Sequence, residues 1–182
     1  MSRPRRLLVF ALLLIIAILA LSRWAGCGRA GRVTHGASSD SASTGVRSAR
    51  LYFGASDGNG LTLETRELMD APGVHARVAA LVAELDRGPH GGGVAVLPEG
   101  TYVLHAYLND QGLLTLDLSR AFTQGFRGGS TSEWLAVASL IRTLGDNLPE
   151  VKRVLLVCGG APIATLGGHI ALDRPLEVSE WP

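Results

Sequence analysis

Residues Leu7 to Leu21, LLVFALLLIIAILAL, form an unbroken apolar run directly behind three arginines, Arg3, Arg5 and Arg6. A helix apolar on every face needs lipid or a large protein interior around it. A basic flank before such a core holds that end in the cytoplasm and directs the rest across the membrane. The run is 15 residues long, short of the roughly 20 that span a bilayer. Three outcomes fit. Ser22, Trp24, Ala25 and Gly26 can extend the run into an uncleaved anchor, with Arg23 snorkelling and Trp24 at the interface. Alternatively WAGC (24–27) resembles a lipoprotein cleavage box, although Trp24 stands where an aliphatic residue is usual, and Cys27 would then carry lipid. Ordinary secretion is the third. All three place the remaining chain on the extracytoplasmic side of the cytoplasmic membrane.

Charge agrees with this division. Six of the 17 basic residues and no acidic residue precede Val33, leaving 11 basic against 16 acidic residues, a net of −5. A domain of that sign has no electrostatic footprint for nucleic acid. Of the two cysteines, Cys27 sits at the membrane boundary, so a disulfide with Cys158 is not expected. The stretch from Gly28 to Arg47, rich in Gly, Ser, Ala and Thr, has no apolar period and reads as a flexible tether. The expected layout is therefore a membrane segment over 1–27, a linker over 28–47 and a folded domain over 48–182.

Within the domain, ARLYFGA (49–55) and LTLETREL (61–68) flank SDGNG, a hairpin signal. The alternation of Leu61 and Leu63 against Thr62, Glu64 and Arg66 predicts a half-buried strand with its leucines inward. Asp70 in DAPG reads as a helix cap, and Val74, Val78, Leu81, Val82 and Leu85 form one helical face that stops at Gly88-Pro89. YVLHAYLN (102–109) and LLTLDLS (113–119) predict a second hairpin. STSE (130–133) reads as a capping box, Ser130 with Glu133, opening a helix to about Leu148 whose apolar side carries Trp134, Ala138, Ile141, Leu144 and Leu148. VKRVLLVCG (151–159) predicts a buried strand, with a further short one near Ile170–Leu172. The sum is an α+β domain: β-β-α-β-β-α-β, two helices packed on one face of a single, mostly antiparallel sheet.

These stretches in this order resemble the GerMN domain: LYF, DGNG and LTLETREL; a helix ending before RGP; then LPEGT, LTLDLSRAF, GGSTSEWLAVASLIRTL, VKRVLLVCGG and LGGH. The match spans about Ala49 to Asp173 and rests on order and spacing, not on any single motif. GerMN domains occur in sporulation and germination proteins of the GerM type, sometimes in tandem, and in bacterial envelope lipoproteins. The resemblance implies an exported, membrane-attached domain without known catalytic activity, and a fold similar to the ring-building motifs of secretion and sporulation channels. Arg66 matches an arginine of that pattern. If buried it needs a carboxylate, and Asp117 is the expected partner, both in structural roles.

The candidates for chemistry are few. His90-Gly91-Gly92-Gly93 has the form of an esterase oxyanion turn, but no G-x-S-x-G elbow accompanies it, so it reads as a loop. Cys158, with His169 downstream, reads as a small buried hydrophobe, because a nucleophilic thiol needs a base beside it. His75, His90, His105 and His169 show no metal spacing. Trp134 reads as core. Phe122, Phe126 and Arg127, in the loop over 120–129, are the candidate partner-binding residues. No catalytic, metal or cofactor site is expected. The function expected is that of a non-catalytic scaffold or adaptor binding envelope proteins, a second copy of itself included; the alternative is a module recognising cell-wall peptidoglycan.

Overall fold

The computed structural model describes residues 45–182. The anchor expected over 1–27, with Cys27, lies outside the described residues. Among the described residues no helix is long and apolar enough to cross a membrane.

Strands β1 (Val46–Gly54) and β2 (Leu61–Met69) pair antiparallel from Val46↔Met69 to Gly54↔Leu61. β1 thus starts two residues inside the expected tether. Helix α1 (Gly73–Arg87) follows. Asp70 does not cap it: Pro72 is the N-cap residue with no side-chain hydrogen bond, and the Asp70 N–H closes the base of the hairpin on the Gly45 carbonyl at 2.7 Å. Gly73 enters the helix at φ 78, which a residue with a Cβ rarely adopts, so extended Pro72 and left-handed Gly73 make the turn that a cap would have made.

β3 (Val103–Leu108) and β4 (Leu113–Leu118) form the second hairpin, followed by a single turn, α2 (Ala121–Gln124), and the long helix α3 (Ser130–Asn147). α3 is the crossover that lets β5 (Arg153–Cys158) run parallel to β4. Two-residue strands β6 (Ala161–Pro162) and β7 (Leu176–Glu177) pair antiparallel with β5. No strand forms over Ile170–Leu172; Leu172 instead donates to the Ala164 carbonyl and buries its side chain.

The α+β class holds, but the single sheet does not. β1 and β2 form a separate two-stranded sheet, and β3-β4-β5-β6 with β7 forms the other. On β4 and β5, Leu114, Leu116, Leu118, Val154, Leu156 and Cys158 are buried with the apolar faces of α1 and α3, and the alternate residues are half-exposed. Helices therefore cover one face of this sheet.

The sheets separate because α3 takes the place of a strand beside β1. Its Ser139 hydroxyl donates to the Tyr52 carbonyl, and Thr143 Oγ1 accepts from the Tyr52 N–H at 3.1 Å. Asn147 accepts from the Arg50 N–H at 3.0 Å and donates to the Arg50 carbonyl at 2.7 Å. Three polar side chains spaced four apart on one helix face thus satisfy the open edge of β1 and close it to any further strand. Changing Thr143 to Val, similar in shape, leaves the buried Tyr52 N–H unpaired. The expected cost is about 1–3 kcal/mol, read as a lower urea midpoint at unchanged slope.

The same pairing inverts β2. Cross-strand partners share a face, and buried Ala49, Leu51 and Phe53 stand opposite Arg66, Glu64 and Thr62. The polar side of β2 therefore faces inward, leaving Leu63 on the outside at 45% exposure against 8% for Arg66.

Candidate functional site

Arg66 lies under α1, its guanidinium 5.3 Å above the Phe53 ring. It donates to the Glu64 and Glu84 carboxylates, each at 2.7 Å, and to the Gly88 carbonyl at 2.6 Å. Arg87 holds the other oxygen of Glu84. The carboxylates of this cluster come from its own strand and from α1, not from Asp117. Asp117 points to the outer face of β4 and accepts from the Gly160 N–H at 3.1 Å, bracing the turn after β5.

The His90–Gly93 loop has a specific structural task. The His90 and Gly91 N–H groups donate to Glu64 Oε2 at 2.9 and 3.2 Å. The loop does bind an oxyanion, and the oxyanion is Glu64. Burial alone would raise the Glu64 pKa, but the hydrogen bonds from Arg66, Gly91 and His90 outweigh it and hold the group below its ordinary value. Of the three glycines only Gly93 is tightly packed: a Cβ there would sit 3.0 Å from the Thr62 methyl and 3.1 Å from the Phe53 Cβ, whereas Gly92 faces open space. Gly93→Ala is expected to cost about 1–3 kcal/mol and Gly92→Ala to stay within about 0.5 kcal/mol, compared by thermal melting.

Glu133 is not half of a capping box. Gly129 is the N-cap residue of α3 and no side chain caps the helix. The Glu133 side chain is fully buried and faces the turn after β6. It accepts from the Thr165 hydroxyl at 2.6 Å, the Leu166 N–H at 3.0 Å, the His169 N–H at 2.9 Å and His169 Nδ1 at 3.0 Å. Burial opposes ionisation, yet hydrogen bonding from the Gly167 backbone, the Thr165 hydroxyl and the backbone and ring of His169 brings its pKa down to about 2. An ionised carboxylate only accepts, so His169 Nδ1 carries the hydrogen, and in the neutral ring Nε2 is left as the acceptor. The His169 side chain is 49% exposed and Nε2 has no partner among the described residues. Its carboxylate is thus Glu133, while the Cys158 thiol donates to the Ser119 carbonyl at 3.2 Å and meets the Thr123 hydroxyl at 3.4 Å, with no imidazole beside it.

The loop over 120–129 is more structural than its composition suggests. Phe122 is fully buried in the core, so it is not a surface residue: α2 is amphipathic and its one large apolar side chain turns inward. Phe126 is half-buried and packs on Gly167, and Arg127 is exposed, one nitrogen donating to the Gln124 and Phe126 carbonyls at 2.7 Å. Phe126 and Arg127 line a groove of about 410 Å³ with Val94, Pro98, Ser132 and Leu135.

Trp134 is not core either. It sits half-exposed at the first turn of α3, its ring centroid 6.4 Å from that of Trp181 and the planes tilted by 32°. One hollow of about 360 Å³ lies on the side of Ser130, Thr131 and His169, and another of about 200 Å³ on the side of Arg174, Glu180 and Trp181; Trp134 and Ile170 line both. Apolar periodicity over-predicts the burial of Trp134, and no local signal links it to Trp181, 47 residues away. The third open feature is β3, which pairs with β4 on one side and with no other strand among the described residues. Its Tyr107 is 68% exposed, and Tyr102 just before it 58%.

The Germane family, described by the words sporulation and spore germination, matches residues 50–164, from β1 to the edge of the Glu133-bound turn. The chain belongs to the Germane family. Solved structures carry the same fold. The tandem GerMN domains of the sporulation protein GerM from Bacillus subtilis align at 20% identity and TM-score 0.60, covering 75% of this chain and 48% of that one. The first GerMN domain of GerM alone aligns at 22% and 0.57, covering 70% and 96%. A Clostridium perfringens protein described as a candidate lipoprotein aligns at 20% and 0.50, covering 75% and 90%. The curated proteins contain no match. The Germane match leaves Trp181 outside its span and takes in the Arg66 cluster, Glu133 and β3.

Proposed function

We propose that this Germane domain is a non-catalytic adaptor in a bacterial envelope assembly of the sporulation and germination type, held on the extracytoplasmic side of the cytoplasmic membrane by residues 1–27. The basic and apolar N-terminal segment supports the location, as do the solved relatives, a GerM protein and a candidate lipoprotein. One contrast carries the binding mode. The β1 edge is sealed by Ser139, Thr143 and Asn147, whereas the β3 edge lacks a strand partner among the described residues and is flanked by exposed Tyr102 and Tyr107. An open edge adds a partner's strand through main-chain hydrogen bonds, and exposed tyrosines supply side-chain contacts at low entropic cost. The partner is an envelope protein or a second copy of this chain. Phe126 and Arg127 are proposed as a secondary contact.

The test is site-specific photo-cross-linking in intact cells. A photoreactive residue at Tyr107 should yield discrete protein adducts, and one at His75, exposed on α1, should yield none. Equal adducts from both positions, or none from Tyr107, would reject the edge as the binding surface. Deleting residues 120–129 is no clean alternative, because it removes core residue Phe122.

A second reading, recognition of cell-wall peptidoglycan, is favoured by one observation: the half-exposed tryptophan pair, with His169 beside Trp134.

A further inference from the structure

The two hollows that meet at Trp134 have a chemistry that neither the sheet edge nor the groove at Phe126 shares. We propose that the Trp134–Trp181 surface is a sugar-binding site for a glycan strand, seating one pyranose ring against Trp134 beside His169 and the next ring towards Arg174. The proposal rests on the wall-recognition reading and gives it a location.

A sugar ring presents apolar C–H faces and a rim of hydroxyls that both donate and accept. The C–H faces match an indole face. Trp134 and Trp181 are both half-exposed, with ring centroids 6.4 Å apart and planes tilted by 32°. The rim of the larger hollow is mixed in the same way as a sugar's hydroxyls. The exposed Ser130 and Thr131 carry hydroxyls that donate or accept, and the His169 ring offers Nε2, which has no partner among the described residues. His169 is held from behind by fully buried Glu133 at 3.0 Å, so the imidazole is oriented before any ligand arrives. The smaller hollow adds a donor, Arg174, and an acceptor, Glu180, neither in a salt bridge among the described residues. At about 360 and 200 Å³ the hollows lie around or below the lower end of the roughly 300–1,000 Å³ typical of small-molecule pockets. That size suits one ring apiece.

Other occupants fit less well. A protein strand needs an open backbone edge of some length, and the one strand that reaches these hollows, β7, is two residues long and already paired with β5. An anion needs several converging cations, and Arg174 is accompanied by Glu180.

The test uses the full-length protein in detergent micelles, titrated calorimetrically with the trimer of N-acetylglucosamine and sedimented with purified peptidoglycan sacculi. Wild type should bind both. Trp134→Ala should weaken trimer binding about tenfold or more. Arg174→Ala and Thr131→Val, at exposed positions where folding is not at stake, should each weaken it measurably. Circular dichroism reports whether each variant is folded, and if Trp134→Ala is not, the two exposed variants carry the test. Folded variants that bind trimer and pellet with sacculi as wild type does would overturn this site and leave wall recognition standing. A wild-type protein that neither binds the trimer nor pellets would overturn both.

Discussion

Replacing Glu133 by Gln is expected to remove on the order of 3 kcal/mol of stability at pH 7, and to remove progressively less as the pH falls. The carboxyl has a folded pKa of about 2 against an ordinary 4.5, and every tenfold gain in acidity on folding is worth about 1.36 kcal/mol. A group whose folded pKa is depressed contributes stability that is fully present above its unfolded pKa and lost as pH falls through the folded one. The wild-type contribution is therefore complete above about pH 5 and fades between 4.5 and 2. Gln mimics the protonated acid in shape and charge, so the gap between the two proteins should close over that window. Urea unfolding at pH 7, 4 and 2.5 measures it. A gap that stays constant would mean that the loss comes from packing and not from the carboxylate's charge. The damage should be local before it is global: Glu133 is what ties the turn over 165–169 to α3, so hydrogen exchange at the Leu166 and His169 amides should accelerate first.

Arg66→Ala is expected to cost about 3–5 kcal/mol, because it leaves buried Glu84 short of a partner and orphans the Gly88 carbonyl at the end of α1. For a domain of this size that is a fall of roughly 10 °C in Tm or more. Lysine should rescue little: its single ammonium cannot reach Glu64, Glu84 and Gly88 together as the guanidinium fork does, nor lie over Phe53 in the same way. The Arg66→Ala, Glu84→Gln double variant should lose less than the sum of the single losses, because the second change removes the uncompensated charge that the first creates. An unchanged Tm for Arg66→Ala would refute the structural role outright.

Both predictions concern carboxylates whose surroundings are assembled from distant parts of the chain, and there reading the sequence alone goes astray. Glu133 follows Ser130 by three, the spacing of a capping box, and nothing nearby says that a turn more than 30 residues downstream claims its oxygens. The polar residues Ser139, Thr143 and Asn147 recur every four positions, but that spacing acquires a meaning only with β1 lying alongside. Phe122 and Trp134 exchange places for a related reason. Aromatic content marks both as apolar, whereas exposure is set by what the rest of the fold lays over them: Phe122 is fully buried in the core, and Trp134 stays half-exposed beside Trp181.

What the sequence determined by itself is local. Hairpin turns, the two long helices, the buried faces of α1 and β4–β5 and the α+β class all follow from side-chain period and turn chemistry within windows of about ten to twenty residues. Tertiary structure alone decided which face of β2 turns inward, that the strands divide into two sheets, and which acids hold Arg66 and His169. The physical reason is that a period records how apolar a face is, not what it meets. Strand register, edge closure and the pairing of buried charges are pairwise terms between residues far apart in the chain, and they acquire a value only when folding brings the partners together.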